Sequence, residues 1–475
     1  MFFAFDFFAE LSKDIKMLTF IIVMDPFRYV YARIFHWSTY HAALALMYLA
    51  QGIWFAKAWR RSGSARPSSR KLLRWLLAAA GVVLLATGMA PLSMRYFSKS
   101  YFPHHGFAYW VLTAARVWMF ASFLGLLVLM AVQAALWLAA KGAHAFRGPG
   151  IEKSRRKFLR NCVFLAGSAP FLAVAYGFGS RLDFRIRRAD IPIAGLPEKL
   201  DGLTIVQLSD IHMGDYMPRS QVRRAVAMAN RLNADLAVVT GDFITWKGDP
   251  LEECISELSR LRAPLGVWGC NGNHERYARA EHEAQELFQL HGMRLLRQQR
   301  AELNWRGERL NIIGVDYQSD NYQNGRGTSP YMHMLEGVEP LVRRDMPNLL
   351  LSHNPNSFYR ASGMGIELSL AGHTHGGQIR IGIDGEELSP ALLYTKFVAG
   401  KYRLPFGEAR EDGTSTYGTD RPGPPADPLL SPFSGPLSAG RSAALYVNRG
   451  LGTIWIPVRL EVPPEITLLT LRRTV

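Results

Sequence analysis

The 475-residue chain is long enough for two or three domains, and 48% of its residues are hydrophobic, so it can form a sizeable core. Its formal net charge of +16 lies in the N-terminal two-fifths, because residues 1–140 carry +10, residues 141–190 carry +8 and residues 191–475 carry −2. Since this basic excess lies among apolar stretches, we do not expect nucleic-acid binding. The three cysteines are too few for a disulfide framework and lack metal-ligand spacing.

Residues 1–150 contain the long apolar stretches and are predicted to form an α-helical transmembrane region of three or four helices. Three stretches reach the ~20 residues that a helix needs to cross a bilayer, namely 39–57, 72–93 and 117–140. The stretch 17–37 is also apolar, but it contains a proline and several charged residues. Whether that stretch forms a poor span or an interfacial helix is left open.

The lysines and arginines of the short loops predict the orientation of these spans, because positively charged loops stay in the cytoplasm. Loops 57–74 and 141–160 each contain seven such residues, whereas 94–106 contains two. If the short apolar segment 161–178 crosses once more, the C-terminal domain lies outside the cytoplasm, and if it only lies in the interface, that domain is cytoplasmic. We favour the first arrangement, a multi-pass protein of the inner membrane with an extracytoplasmic C-terminal domain.

Residues 151–190 form a junction made of a twin-arginine-like motif, the last apolar segment and a basic linker. The run from Ser154 to Leu159, SRRKFL, resembles the twin-arginine export signal of proteins that cross a membrane after folding, so the twin-arginine translocase is an expected partner. Paired arginines before an apolar segment also serve simple retention in the cytoplasm. The small residues from Ala173 to Ala175 leave open whether the chain is cleaved there or stays tethered.

Residues 191–475 alternate short apolar runs with segments of helical spacing, around 218–235 and 281–290, which predicts a layered α/β domain. Five runs end in residues of metal-binding types: LTIVQL precedes Asp210 and His212, ADLAVVT precedes Asp242, GVWGC precedes Asn273 and His274, NLLL precedes His353, and IELSL precedes His373 and His375. A single residue of this kind is usually a packing or capping residue. Five such strand ends together predict a metal site.

The ordered motifs D-x-H, G-D, G-N-H-E, H and G-H-x-H resemble the signature of the calcineurin-like metallophosphoesterase family, over about residues 200–475. The C-terminal stretch is similar to the exported or membrane-associated bacterial phosphodiesterase branch of that family. The resemblance implies a four-layer αββα sandwich for residues 191–475, placed after the transmembrane region. It also implies a metal-dependent phosphoric ester hydrolase.

The resemblance further implies the role of each residue in a dinuclear metal centre. Asp210, His212 and His375 would hold one ion, Asn273, His353 and His373 would hold the other, and Asp242 would bridge them. A hydroxide shared by the two ions would attack phosphorus, and His274 would contact the phosphate and protonate the leaving group. Mixed imidazole and oxygen ligands suit Mn, Fe or Zn.

The metal core alone does not choose among phosphodiester, phosphomonoester and pyrophosphate bonds. The membrane half favours a substrate carried in or near lipid. One alternative is a pyrophosphatase acting on UDP-diacylglucosamine, which requires a domain on the cytoplasmic face. Two further alternatives are a non-catalytic membrane binding protein on this fold, which the complete ligand set disfavours, and a protein whose spans carry the function.

Two features depart from the pattern of the family. Glu275 stands where many members have Asp, and we expect this change to be tolerated because it lies outside the ligand set. Residues 404–440 are rich in Pro, Gly and Ser and are predicted to form an irregular insertion, which weakens conclusions about the substrate.

Overall fold

The structure is a computed structural model that describes residues 74, 106–142, 152–318, 334–383, 386–393, 395–406 and 442–474. Several sequence predictions therefore lie outside the described residues. These are the stretch 17–37, the spans 39–57 and 72–93 apart from Arg74, and residues 407–440 of the insertion.

Two long helices precede the sheets. Helix α1 (Gly106–Gly142) contains the predicted span 117–140, and helix α2 (Glu152–Ser180) contains both the twin-arginine-like motif and the segment 161–178. Within the part of the chain that the structure describes, no helix combines the length and the hydropathy of a membrane-crossing segment. The transmembrane helices therefore stay a prediction.

The remaining elements alternate strands with shorter helices. The strands are β1 (Arg185–Ala194), β2 (Thr204–Leu208), β3 (Leu236–Thr240), β4 (Val267–Cys270), β5 (Arg294–Leu295), β6 (Gln299–Trp305), β7 (Glu308–Gly314), β8 (Asn348–Leu351), β9 (Leu368–Ala371), β10 (Ile381–Ile383), β11 (Glu386–Leu388), β12 (Gly400–Pro405), β13 (Ser442–Val447) and β14 (Glu465–Thr474). The helices are α3 (Arg219–Asn230), α4 (Leu251–Leu258), α5 (Asn273–Ala278), α6 (Glu281–Leu290) and α7 (Phe358–Gly363).

The strands form two six-stranded mixed sheets and one small hairpin. The first sheet has the order β1-β14-β2-β3-β4-β5, the second has the order β12-β13-β9-β8-β7-β6, and β10 pairs with β11. Strands β3, β4, β8 and β9 are buried along their whole length, as expected for short apolar strands covered on both faces. Helix α3 buries Val222, Ala225, Val226 and Ala229, the spacing of one helical face.

Three apolar clusters define four layers. The two sheets pack face to face through residues such as Ile205 and Leu349, helices α3, α4 and α6 cover the outer face of the first sheet, and helix α7 covers the outer face of the second through Phe358. This is the αββα arrangement predicted for residues 191–475.

The first sheet begins earlier than the predicted domain boundary at residue 191. Strand β1 starts at Arg185 and pairs with β14, so part of the predicted basic linker is an edge strand. Its N-terminal residues are exposed, while Ile191 and Ile193 are buried between the sheets. The basic residues therefore occupy solvent-facing positions of a strand that the apolar half anchors.

Parallel strands bring the predicted site together. Strands β2, β3 and β4 are parallel neighbours in the first sheet, as are β8 and β9 in the second. The backbone N–H of Asp210 donates to the carbonyl of Gly241, and that of Gly372 donates to the carbonyl of His353. The loops after these strands consequently meet at one edge of the sandwich, where an α/β sheet gathers its functional residues.

Candidate metal centre

Six of the seven predicted metal ligands lie at this edge in two clusters that share Asp242, and the seventh, Asn273, contacts His373 of the second cluster. The first ligand group consists of Asp210 and His212, which follow β2, and His375, which follows β9. The second ligand group consists of Asn273 at the start of α5, His353 after β8 and His373 after β9.

The first ligand group is deeply buried, with no side chain more than 3% exposed. The Nε2 atoms of His212 and His375 lie 3.1 Å apart, and His375 Nε2 lies 3.3 Å from Asp210 Oδ1. His212 Nε2 is also 3.5 Å from Asp242 Oδ2. Two imidazoles and two carboxylates therefore face one point.

The second ligand group is assembled in the same way on the other side of Asp242. His353 Nε2 lies 3.0 Å from Asp242 Oδ2, and His373 Nδ1 lies 2.8 Å from Asn273 Oδ1. His353 Nε2 is also 3.9 Å from Asp210 Oδ1. Because Asp242 contacts ligands of both groups, its carboxylate is placed to touch two ions at once.

The hydrogen bonds of His353 show that the residues fit a bound cation. Its Nδ1–H donates to the carbonyl of Thr240 at 2.5 Å, so in the neutral ring the lone pair of Nε2 faces the Asp242 carboxylate. Burial lowers the pKa of His353, but the Asp242 and Asp210 carboxylates outweigh this effect and raise the pKa to about 10. A bound cation would remove this conflict, because it would supply the positive charge that the proton otherwise provides beside Asp242.

The other imidazoles are held neutral, as metal ligation requires. Burial, reinforced by the charge of His274, lowers the pKa of His212 to about 3, and burial together with His353 lowers the pKa of His373 to about 3. Burial also raises the pKa of Asp210 to about 6. Neutral imidazole nitrogens beside carboxylate oxygens form a donor set suited to Mn, Fe or Zn.

The backbone at the ligands is held in an unusual conformation. Five of the seven ligands have a positive φ between 49° and 74°, namely Asp210, His212, Asp242, His373 and His375. Such left-handed residues cost of order 1–3 kcal/mol each and persist where the surrounding structure fixes them. A Cβ at Gly272 would lie 2.1 Å from Asp242 Oδ1, so glycine is required for this close approach.

His274 lies beside the ligands without belonging to either group. Its backbone N–H donates to Asp242 Oδ1 at 2.9 Å, and its Nδ1 donates to the carbonyl of Thr245 at 2.7 Å. The ring is 4.8 Å from that of His212. The fixed Nδ1 leaves Nε2 as the nitrogen that can exchange a proton, as the predicted role requires.

Glu275 supports the loop that carries Asp242. Its carboxylate accepts hydrogen bonds from the backbone N–H groups of Gly272, Asp242 and Phe243, each at 2.8 Å. It lies outside the ligand groups, as expected, and it connects the loops after β3 and β4. Sequence reasoning missed this supporting role. The available signal was that Glu275 lies only two residues after the predicted ligand Asn273.

Sequence reasoning also missed an aromatic border around the centre. The rings of Tyr277 and Trp246 lie 5.5 Å and 6.2 Å from His274, and that of Tyr317 lies 5.4 Å from His373. Trp246 and Tyr277 are both partly exposed to solvent. Trp246 and Tyr317 follow β3 and β7, and Tyr277 belongs to helix α5, so the border combines residues of three separate segments.

Comparison with known proteins agrees with this geometry. Residues 203–377 match the calcineurin-like phosphoesterases. The uncharacterised metallophosphoesterase YkuE of Bacillus subtilis is 27% identical over 68% of this chain and 99% of its own length. The transmembrane protein with metallophosphoesterase domain of Bos taurus is 28% identical over 72% of this chain and 68% of its own length. Phosphodiesterase YaeI of Escherichia coli is 24% identical over 67% of this chain and 99% of its own length. Residues 203–377 are therefore a calcineurin-like phosphoesterase domain, and this domain together with the similarity to proteins named metallophosphoesterase and phosphodiesterase supports a metal-dependent phosphoric ester hydrolase.

Proposed function

We propose that the chain is a membrane-anchored dinuclear-metal phosphoesterase that hydrolyses a phosphodiester, phosphomonoester or pyrophosphate bond. The observation that supports this most strongly is the position of Asp242, whose carboxylate contacts ligands from both groups. Asp210, His212 and His375 would hold one ion, and Asn273, His353 and His373 would hold the other. Mn, Fe and Zn fit this donor set.

Two bound ions of this kind supply an activated water and neutralise charge on the phosphoryl oxygens. The protein supplies the remaining group. His274, held by the carbonyl of Thr245, directs Nε2 towards the leaving group, where it donates a proton. Because the imidazole lies in the wall of the site and is only 4% exposed, the proton is delivered in a fixed direction.

The apolar N-terminal stretches and the basic loops between them support anchoring in the inner membrane. The same pattern and the twin-arginine-like motif support export of the folded domain to the outer face by the twin-arginine translocase. A ligand set drawn from five strand ends exists only in the folded chain, which favours loading with metal before export. We therefore propose an extracytoplasmic domain and a phosphate ester held in or near lipid as substrate.

The test of catalysis is hydrolysis of bis(p-nitrophenyl) phosphate by the purified full chain, first freed of metal and then supplied with Mn²⁺. We expect hydrolysis that depends on the added metal. The Asp242→Ala variant should lose at least ~10³-fold in kcat/KM, because both ligand groups lose a carboxylate. Asp345→Ala, which removes an exposed carboxylate paired with Arg343, should stay close to the parent protein. Full activity of Asp242→Ala would overturn the assignment.

The test of topology is digestion of intact spheroplasts with an added protease. An extracytoplasmic domain is cut. Protection of residues 191–475 until the membrane is permeabilised would place the domain in the cytoplasm and would favour a nucleotide-linked lipid as the substrate.

A further inference from the structure

Arg459 is a buried cation next to the first ligand group, with 2% of its surface exposed. Its guanidinium donates to backbone carbonyls of the surrounding loops rather than to a carboxylate. The acceptors are the carbonyl oxygens of Arg449 at 2.9 Å, Gly450 at 3.2 Å, Gly452 at 2.5 Å, Val462 at 3.2 Å and His375 at 3.4 Å. Several loop segments are thus tied to one side chain.

These segments hold two ligands of the first group. One acceptor is the carbonyl of His375 itself. The loop from Gly450 to Gly452 lies against the other, because the backbone N–H of Gly452 donates to the carbonyl of Asp210 at 2.7 Å. A Cβ at Gly450 would lie 2.6 Å from the Cβ of Asp210, so the backbone of Gly450 packs directly against the Asp210 side chain. Arg459 therefore fixes the backbone on two sides of the first group.

The other end of this connection is helix α2. The backbone N–H of Arg459 donates to the carbonyl of Gly177 at 3.0 Å, and Ser180 Oγ donates to the carbonyl of Arg459 at 3.2 Å. Val458 is fully buried between the helices, in a cluster with Val174 and Ala121. Helix α2 thus fixes the backbone of the residue whose side chain holds the metal loops.

The second ligand group shares one support with the first, because the backbone N–H of His373 donates to Asp210 Oδ1 at 3.0 Å, but its other supports differ. His353 is held by the carbonyl of Thr240, and Asn273 begins helix α5, which Glu275 connects to the loop of Asp242. A disturbance at helix α2 therefore reaches Asp210 and His375 first.

We propose that Arg459 is a positioning residue for the first metal site, and that docking of helix α2 at Gly177 is required to place it. The proposal rests on the proposed metal ligation and adds a function for the helix that joins the membrane half to the enzyme. Cleavage after Ala175 would remove Val174 from the cluster around Val458, while Gly177 and Ser180 would stay attached to the domain.

Two glycines of helix α2 provide a matched test. A Cβ at Gly177 would lie 2.7 Å from Val458 Cγ1 and 2.8 Å from Leu460 Cδ2, whereas at Gly179 nothing lies within 4 Å. Gly177→Val and Gly179→Val change helix propensity equally. Isothermal titration calorimetry of the metal-free full chain with Mn²⁺ gives the affinity of each site. The His212→Ala variant should lose binding at the first site, which identifies that site in the titration.

We expect Gly177→Val to weaken the first site by about 10-fold or more, the range that supporting partners of metal ligands produce, and to weaken the second site less. Gly179→Val should bind like the parent. Arg459→Lys, which keeps the charge but cannot reach all the carbonyls, should weaken the same site. Circular dichroism checks folding, and if Gly177→Val does not fold, Gly177→Ala replaces it.

Unchanged affinity of the first site in the folded variants, or equal weakening of both sites, would overturn the positioning role. Neither result contradicts the proposed function. That function is contradicted instead if the parent chain binds no metal or if Asp242→Ala hydrolyses the phosphodiester normally.

Discussion

The two ligand groups share Asp242 but differ in their surroundings. The first group lies at the bottom of the site, is at most 3% exposed and is enclosed by glycine backbones and the Arg459 network. The second group borders Tyr317, and its His373 is half-buried, whereas Asn273 and His353 are at most 5% exposed. The comparison indicates that the backbone holds the first group more rigidly, while the second group reaches solvent through His373.

The largest expected effect comes from His274, which lies beside His212 of the first group. His274→Ala should reduce kcat by about 10²–10⁴-fold for a phosphodiester with an alkyl leaving group, because no proton reaches the departing oxygen. The loss should be smaller for a nitrophenolate leaving group, which needs little protonation. Since the contact from His274 to Asp242 uses the backbone N–H, Mn²⁺ affinity should not change. Equal losses for both leaving groups would contradict the assignment of an acid.

Substitution of Glu275 tests the hydrogen bonds that hold the loops after β3 and β4, which carry ligands of the centre. In Glu275→Gln one oxygen becomes an amide donor that faces backbone N–H groups, so the free energy of unfolding of the metal-free protein should fall by about 1–3 kcal/mol. Urea denaturation measures the change. Glu283→Gln, at an exposed position of helix α6, is the matched control. Identical stability of the two variants would show that the loop does not depend on this carboxylate.

The difference in burial also predicts the order of metal release. After addition of a chelator, metal should leave in two phases that differ by about tenfold in rate, with the faster phase from the more open second group. Asn273→Ala should remove the fast phase and His212→Ala the slow one. A single phase, or the reverse assignment, would contradict the division between a retained and an exchanging ion.

The features of the two ligand groups that depend on local residue patterns could be predicted from the sequence. Short apolar runs followed by Asp, Asn or His predicted the strands and the grouping of the candidate ligands, because parallel strands bring their carboxyl ends to one edge. The supports could not be predicted in the same way. Arg459 contacts the carbonyl of His375, 84 residues away, and Gly177 contacts residues 458–460, so only the fold brings them together. The left-handed backbone at five ligands is likewise imposed by packing, since only a few per cent of non-glycine residues adopt it, although Asp and His do so more often than most.

The smallest expected effect lies outside both groups and separates the stability of the domain from the chemistry of the site. Hydrogen bonds from Arg223 and Arg219 lower the pKa of Glu257 to about 2 from a usual value of 4.5. They outweigh burial, which acts in the opposite direction. A lowered pKa adds stability above pH 4.5 that is lost as the pH falls towards 2. Because the arginines are about half exposed, Glu257→Gln should cost only about 1 kcal/mol at pH 7.

Urea denaturation at pH 7 and pH 3 measures this contribution, and the difference between Glu257→Gln and the parent should shrink at the lower pH. Glu253→Gln, on the same helix and 53% exposed, should show a smaller difference at either pH. Both variants should bind Mn²⁺ with the parent affinities, because the ion pairs lie on the outer helices α3 and α4, away from both ligand groups. A constant difference between pH 7 and pH 3 would show that the Glu257 carboxylate does not carry this acid-sensitive stability.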